Sequence, residues 1–395
     1  MSDPPRAAIQ WRVPFVRPDL PPFKAVESAY RRIHASGLLT KGSELTAFEA
    51  EAARVLGSEH VVAVSSCSVG LALVMRALRA GSGGPDPVGR VEVILPSFNF
   101  LAAPAAVVWA GLEPVFVDVD PASWTIDPRA VAAALGPRTL AVLGCHTFGC
   151  PCDTDRLAAI CDDAGVPLLV DAAHGLGSRR RGKQVGAEGL AQVFSLSPTK
   201  LVCAGEGGLV ATSSPALAAA LRDLREYGND GTYDCLVPGL NGRMPEPAAA
   251  LGRASLSRLP EVAARRAAIA AAYTRGLGGV PGLTLQGIDP STDSSWKDYS
   301  VLVDPDLFGT DRDGVRRALA GAGIDSRTYY DPPCHSMPAF RRHRVAGGMT
   351  VTERLAAASL ALPMGGQMTE ALAAEVVAVI TRSAAGLASG AGSGP

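Results

Sequence analysis

The chain has 395 residues, with 37 Lys and Arg against 38 Asp and Glu and a hydrophobic share of 47%. That length calls for two or three domains rather than one small core, at about 100–200 residues each. A net charge of −1 argues against a nucleic-acid surface or a polybasic membrane anchor.

No apolar run reaches the ~18 residues of a transmembrane helix without charges or breakers. The N-terminal stretch "MSDPPRAAIQWRVPF" carries no apolar signal core, so a cytoplasmic, membrane-free protein is expected. Its 8 cysteines should then be free thiols. The run "CHTFGCPC" (Cys145 to Cys152) fits no paired zinc spacing, and no metal is expected.

In chain order, "HVVAVSS" reads as a strand and "VGLALVMRALRA" as a helix by its apolar spacing. The strand "VEVILPSF", a helix through "LAAPAAVVWAG" and the strand "EPVFVDV" follow. A helix around "DPRAVAAAL" leads to the strand "TLAVLGCH", and "DTDRLAAICDDAG" is a helix capped by Asp and closed by Gly. Then come the strands "PLLVDAA", "QVFSL" and "GGLVATS". This alternation predicts a mostly parallel sheet with helices on both faces. Ligands of such sheets bind at the carboxyl ends of the strands, where Ser65, Ser66, Asp171, His174 and Ser195 fall.

Past residue 245 the texture changes. A long helical pattern, "PAAALGRASLSRLPEVAARRAAIAAAYTRGL", precedes the strand "DYSVLVDP" and the helices "TDRDGVRRALAGAG" and "TEALAAEVVAVITRSAAGL". The expected partition is a large domain over 1–250, a smaller α/β domain over 251–385 and a tail, 386–395, too rich in Gly, Ser and Ala to pack.

"SLSPTKLVCAGEGG" (Ser195 to Gly208) sets Lys200 between a turn and apolar residues, where burial penalises its charge. Three other features bear on it. "SSCSVG" (Ser65 to Gly70) offers backbone N–H groups and hydroxyls at a helix start, which suits an anion. Asp171 ends an apolar strand, where a carboxylate can hold a proton on a heterocyclic nitrogen. Ser195 adds a hydroxyl near the lysine. A phosphate cradle, a strand-end carboxylate and a lysine on a later turn together suit pyridoxal 5'-phosphate, whose aldehyde forms a Schiff base with lysine.

From about Val13 to Ile380 the chain resembles the sugar aminotransferases of the DegT/DnrJ/EryC1/StrS family. The resemblance is carried by "GLLTKGSELTAFEAEAARVLGSEHVVAVSSCSVGLAL", "LPSFNFLAAPAAVVWAGLEPVFVDVDPASWTIDP", "VDAAHGLGS", "FSLSPTKLVCAGEGGLVAT", "GLNGRMPEPAAALGRASLSRL" and "GIDSRTYYDPPCHSMPAF". It implies an aspartate aminotransferase-like α/β fold, fold-type I, with a large mostly parallel seven-stranded sheet. Lys200 would be the Schiff-base lysine and Asp171 the partner of the pyridine nitrogen. Phe100 would stack on the ring, His174 would lie near the ring hydroxyl, and the backbone of Cys67 and Ser68 with the Ser195 hydroxyl would hold the phosphate. Asn241 would reach the phosphate from a neighbouring subunit, which implies a homodimer with shared active sites.

Two departures stand out. Ser65-Ser66-Cys67-Ser68 occupies the place of the family's Asn-Ser/Ala-Gly-Thr, adding a side chain near the phosphate. "RMPEP" places two prolines close to Asn241, sharpening that turn.

The implied activity moves an amino group from glutamate or glutamine to a nucleotide-linked keto sugar in deoxysugar and antibiotic biosynthesis. The loop "RTYYDPPCHSMPAF" (Arg327 to Phe340) resembles most the members that aminate C4 of a dTDP-4-keto-6-deoxyhexose, with Tyr330 and His335 expected near the hexose. The basic run "RRRGK" (Arg179 to Lys183) reads as the cap of a solvated loop, or alternatively as a contact for the substrate's diphosphate. Alternatives are amination of a keto-cyclitol, or a non-catalytic pyridoxal phosphate-binding regulator. A related dehydratase group carries His at the lysine position, and Lys200 argues against it.

Overall fold

A computed structural model of the chain describes residues 10–82, 88–232, 234–235 and 237–385, so the expected tail 386–395 lies outside the described residues. Among the described residues fourteen strands occur in chain order. The first five are β1 (His60–Val64), β2 (Glu92–Pro96), β3 (Glu113–Val117), β4 (Thr139–Cys145) and β5 (Leu168–Asp171). The short pair β6 (Arg179–Arg180) and β7 (Lys183–Gln184) precedes β8 (Ala191–Ser195) and β9 (Gly208–Thr212). The remainder are β10 (Leu283–Leu285), β11 (Thr292–Asp293), β12 (Tyr299–Val303), β13 (Arg344–Val345) and β14 (Ser359–Leu362).

The large sheet runs β1-β9-β8-β5-β4-β2-β3-β13. β9 is antiparallel to both neighbours, and the other pairings are parallel. The sequence implies seven strands; the eighth is the two-residue β13, which adds to the β3 edge and pairs Arg344 with Val115.

Its strands are apolar almost throughout because each face carries its own core. Ala63, Val142, Val170, Phe194 and Leu209 point into one core with the helices Ser43–Leu56 and Glu246–Leu256. Their neighbours Val62, Leu143, Leu169, Val193 and Val210 point into the other, with the helices Cys67–Arg79 and Pro215–Leu224. Strand alternation thus fills both faces.

The antiparallel sheet β10-β12-β14 packs against the helices Leu259–Leu277, Arg312–Gly321 and Glu370–Ala385 around Tyr273, Val301, Val315, Leu360 and Val376. Val13 joins this core through a parallel bridge to Ile324. We propose the partition 1–250 and 251–385, with the segment at Val13 crossing to the smaller unit.

Local signals explain the boundaries. Asp153 accepts from Arg156 N at 3.3 Å to cap the helix Thr154–Ala164, and Gly165 ends it at φ 60°. The long helical pattern after residue 245 is two helices, Glu246–Leu256 and Leu259–Leu277. Pro260 separates them, because its ring and missing N–H do not fit a helix interior but do fit a first turn.

Candidate active site

The carboxyl ends of β5 and β8 open into a cleft of about 340 Å³. Ser66, Cys67, Ser68, Phe100, Asp171, His174, Ser195, Lys200 and Tyr330 line it. Most of the residues singled out from the sequence are therefore brought together.

Lys200 follows β8 on a turn closed by its own N–H donating to Ser197 O at 3.0 Å. Burial first, and the charge of Lys297 second, bring its ammonium down to about 7, against the pull of Asp298, Cys67 and Asp171. Asp171 ends β5 almost fully buried, and Oδ1 accepts from Ala173 N at 3.0 Å. Burial raises its carboxyl, while the Ala173 N–H and Lys200 pull it down.

The helix Cys67–Arg79 starts at the cleft. Ser66 Oγ caps it by accepting from Val69 N at 3.2 Å, and Gly70 N bonds Ser66 O at 3.0 Å. The first two N–H groups, of Cys67 and Ser68, have no partner among the described residues and form the positive end of the helix dipole, which favours an anion. The extra side chain at Cys67 lies against the end of β8, its Sγ 3.6 Å from Val193 O, within reach of the charges of Asp171 and Lys200. Gly208 on β9 is needed there, since a Cβ on it would lie 2.7 Å from Cys67 N. Ser195 Oγ stands across from this start at the end of β8.

Phe100 is 52% exposed at the mouth of the cleft, an apolar ring without a core to fill. Its N–H donates to Asn99 Oδ1 at 2.7 Å, and Cys145 Sγ donates to the same oxygen at 3.3 Å. That fixes the amide orientation and leaves Asn99 Nδ2 buried without an acceptor. His174 Nδ1 is likewise buried and unpartnered, and burial pushes its imidazole well below the usual range, so the ring is neutral. Orphaned polar groups around a lysine, beside an open helix start, are what a phosphorylated heterocycle with a ring hydroxyl would satisfy. The residues present fit pyridoxal phosphate.

Tyr330 stacks on Phe148 at 5.5 Å and on Tyr329 at 5.4 Å, which fixes one wall. His335 is not brought to the cleft: its Nδ1 lies 2.7 Å from Ser97 Oγ, and Cys334 N bonds Ser97 O at 3.0 Å. Asn241 is exposed, paired as a bridge with Glu226, and outside the lining of its own chain's cleft.

The run "RRRGK" also lies elsewhere, forming the hairpin β6–β7. Arg180 pairs with Asp153 at 2.7 Å and Asp155 at 3.3 Å, and Arg181 with Asp155 at 2.8 Å. These acids pair two of the run's four cations, and Arg180 and Asp153 line a separate polar groove. The three thiols of "CHTFGCPC" are free and buried. Among the described residues no cluster of three or more metal-ligating groups forms, and no helix is long and apolar enough to cross a membrane.

The sequence reading missed Lys297, Asp298, Asn99, Cys145 and Thr199, all on the cleft wall. The available signal for the first two was "WKD", two opposite charges set directly before an apolar strand.

A strand-end carboxylate, a near-neutral buried lysine and an open helix start on a mostly parallel sheet define a pyridoxal phosphate-dependent aminotransferase of fold-type I. Residues 24–381 match the DegT/DnrJ/EryC1/StrS aminotransferase family, and the chain belongs to it. It is 38% identical over 361 residues to the erythromycin biosynthesis sensory transduction protein EryC1 of Saccharopolyspora erythraea, covering 91% of this chain and 95% of that one. It is 37% identical over 353 residues to the dTDP-3-amino-3,4,6-trideoxy-alpha-D-glucose transaminase of Streptomyces venezuelae, covering 89% and 90%. Among solved structures, DesI in the presence of its TDP-sugar product superposes with a TM-score of 0.87 at 35% identity, over 98% of this chain and 96% of that one. DesV of S. venezuelae, in complex with a ketimine intermediate, gives 0.84 at 35% identity, over 92% and 95%.

Proposed function

We propose that the chain transfers an amino group from glutamate or glutamine to a nucleotide-linked keto sugar, at C4 of a dTDP-4-keto-6-deoxyhexose. The observation that carries the transfer is Lys200, an amine brought to about 7 by burial in the same cleft as the buried carboxylate of Asp171. The nucleotide sugar is supported by the relatives, one of which is named for a dTDP-sugar and another solved with a TDP-sugar product.

When bound, pyridoxal phosphate supplies an aldehyde that takes up the amino group and a ring that accepts electrons. The phosphate fits the N–H groups of Cys67 and Ser68 with the Ser195 hydroxyl, the ring fits Phe100, and its hydroxyl fits His174. Asp171 keeps the ring nitrogen protonated. Lys200 Nζ would remove the proton from the donor's α-carbon, and water would then cleave the donor's carbon–nitrogen bond, supplying the oxygen of the departing keto acid and leaving the amine on the cofactor. In the second half Lys200 returns a proton to the sugar carbon that receives the amine. Tyr330, its ring faces packed by Phe148 and Tyr329, lines the side of the cleft that would take the hexose.

A second reading sets the new amine at C3, favoured by the name of the S. venezuelae relative. Incubation with glutamate and a panel of dTDP-3-keto sugars, dTDP-4-keto sugars and free keto-cyclitols, read by product mass and fragmentation, separates these. An aminated 4-keto sugar supports the first reading, and an aminated cyclitol alone overturns both. The EryC1 relative is described as a sensory transduction protein, and a non-catalytic regulator would give no product from any of them.

Asn241 is exposed and away from its own cleft, and we propose that it reaches the phosphate seat of a second copy. Mixing inactive Lys200→Ala with a severely impaired Asn241→Ala protein should then restore activity in heterodimers carrying one intact site. A fully active monomer on a sizing column contradicts the shared site.

A further inference from the structure

The cleft wall opposite the helix start is a strap, residues 295–298, that leads into β12. It is fastened to the segments that follow β4 and β5, where Ser295 N donates to Ser178 Oγ at 3.1 Å. Ser295 N also bonds Gly149 O at 3.3 Å, Ser295 Oγ donates to His174 O at 2.6 Å, and Asp298 N bonds Phe148 O at 3.3 Å. Gly149, at φ 102°, makes room for it, because a Cβ there would meet Ser295 and the backbone of Trp296. Trp296 itself has φ 50°, a left-handed backbone rare for a bulky residue, which turns the chain so that both following side chains face the interior.

Those side chains are Lys297, 6% exposed, and Asp298, 3% exposed, joined by bonds of 2.7 Å from Nζ to each carboxylate oxygen. Arg266, 4% exposed, stands behind them and donates through Nη1 to the carbonyls of Trp296 at 3.2 Å and Lys297 at 2.8 Å. Two buried cations thus share one carboxylate. Of the other carboxylates, Asp171 faces Lys200, Asp325 is paired with Arg327, and Glu206 lies elsewhere on the cleft lining, while the charges acting on Lys297 are those of Asp298 and Arg266. Lys297 lies on the cleft itself, close enough for its charge to be felt at Lys200. An ammonium has three donors, and Asp298 takes two of them. A buried surplus cation with an unused donor on a cleft wall calls for an anionic ligand.

We propose that Lys297, backed by Arg266, seats a carboxylate of the amino donor. This rests on the donor reading above and adds the residues that recognise it. The same cleft takes an anionic amino acid in one half of the reaction and an uncharged sugar ring in the other. Lys297 serves both states: it turns its free donor to the carboxylate when the amino acid is present, and Asp298 neutralises it when the sugar ring is present.

The test uses the holoenzyme and an unreactive dicarboxylate, maleate, titrated calorimetrically, alongside separate KM values for glutamate and the nucleotide sugar. Lys297→Met should weaken maleate binding and raise the glutamate KM by about tenfold or more, the worth of one charged hydrogen bond. The nucleotide-sugar KM should stay within about twofold, which one such bond lost would exceed. Lys297→Arg should rescue the loss, and Asp298→Asn should tighten maleate. Because Lys297→Met alone strands the Asp298 charge, the neutral double variant Lys297→Met/Asp298→Asn supplies the same readout in a folded protein. Unchanged maleate binding in that double variant, or a rise confined to the nucleotide-sugar KM, overturns the seat. If the wild type aminates no sugar yet loses maleate on Lys297→Met, the functional reading falls and the seat stands.

Discussion

Two lysines approach one cleft from opposite walls, and their surroundings differ in kind. Lys200 comes off β8 on a short turn and forms no ion pair among the described residues. Lys297 comes off the strap before β12 and is clamped by both oxygens of Asp298. Burial lowers the ammonium at both sites, but only at Lys297 does a bonded carboxylate strongly oppose it. Lys200 is left near 7, where an amine is free to react and to carry protons. The lesson is that burial alone does not make a catalytic lysine. Withholding the counter-ion does.

The contrast breaks most decisively at Lys200. Lys200→Ala should abolish turnover, at least about a thousandfold, and remove the visible absorption of the bound cofactor. No other amine is placed to replace it, because Lys297 is tied to Asp298. Near-wild-type turnover in the purified variant would transfer the role to another group and erase the distinction between the two walls.

Asp171→Ala should come next, with activity down about a hundredfold or more while some cofactor is retained. The ring nitrogen then lacks a counter-charge, but the phosphate seat at Cys67 and Ser68 is untouched. Normal transamination by this variant would refute the assignment of Asp171.

A pH titration sharpens the comparison without any substitution. Burial has lowered the Lys200 amine from its ordinary value to about 7, so it is charged below that pH and neutral above it. Uptake of pyridoxal phosphate by the apoprotein requires the neutral amine, so its rate should rise with pH and level off above about 7. A rise that continues to the ordinary lysine range would show that the site does not withhold its counter-ion.

The sequence allowed the large sheet to be read because each of its strands is a short apolar run bounded by turns, a pattern that both cores enforce. Lys200 and Asp171 were legible for the same reason: each stands out as a charge at the end of such a run. The strap was not. Lys297 and Asp298 look like ordinary polar residues before a strand, and only the fit of residues 295–298 against Gly149 and His174 buries them. His335 shows a second kind of long-range partner. A histidine among aromatics and prolines suggested a sugar contact, but Ser97, far away in the chain, holds its ring. The "RRRGK" run shows the same limit, since its acidic partners Asp153 and Asp155 belong to a helix start that local sequence does not connect to it.

The smallest expected effect concerns the wall between the lysines, where the helix Cys67–Arg79 begins. Ser66→Ala removes the hydroxyl that accepts from Val69 N but leaves the N–H groups of Cys67 and Ser68 in place. Loss of such a cap costs about 1 kcal/mol of stability. The proposed phosphate seat uses the N–H groups of Cys67 and Ser68 with the Ser195 hydroxyl and not that of Ser66, so cofactor affinity should change less than threefold, about 0.6 kcal/mol at most. The Lys200 titration should keep its place near 7, since none of the groups that set it has moved. Denaturant unfolding of the apoprotein checks the first figure and cofactor titration the second. A large loss of cofactor binding with stability unchanged would mean that the Ser66 hydroxyl itself holds the phosphate, and that the cap seen here gives way when the cofactor binds.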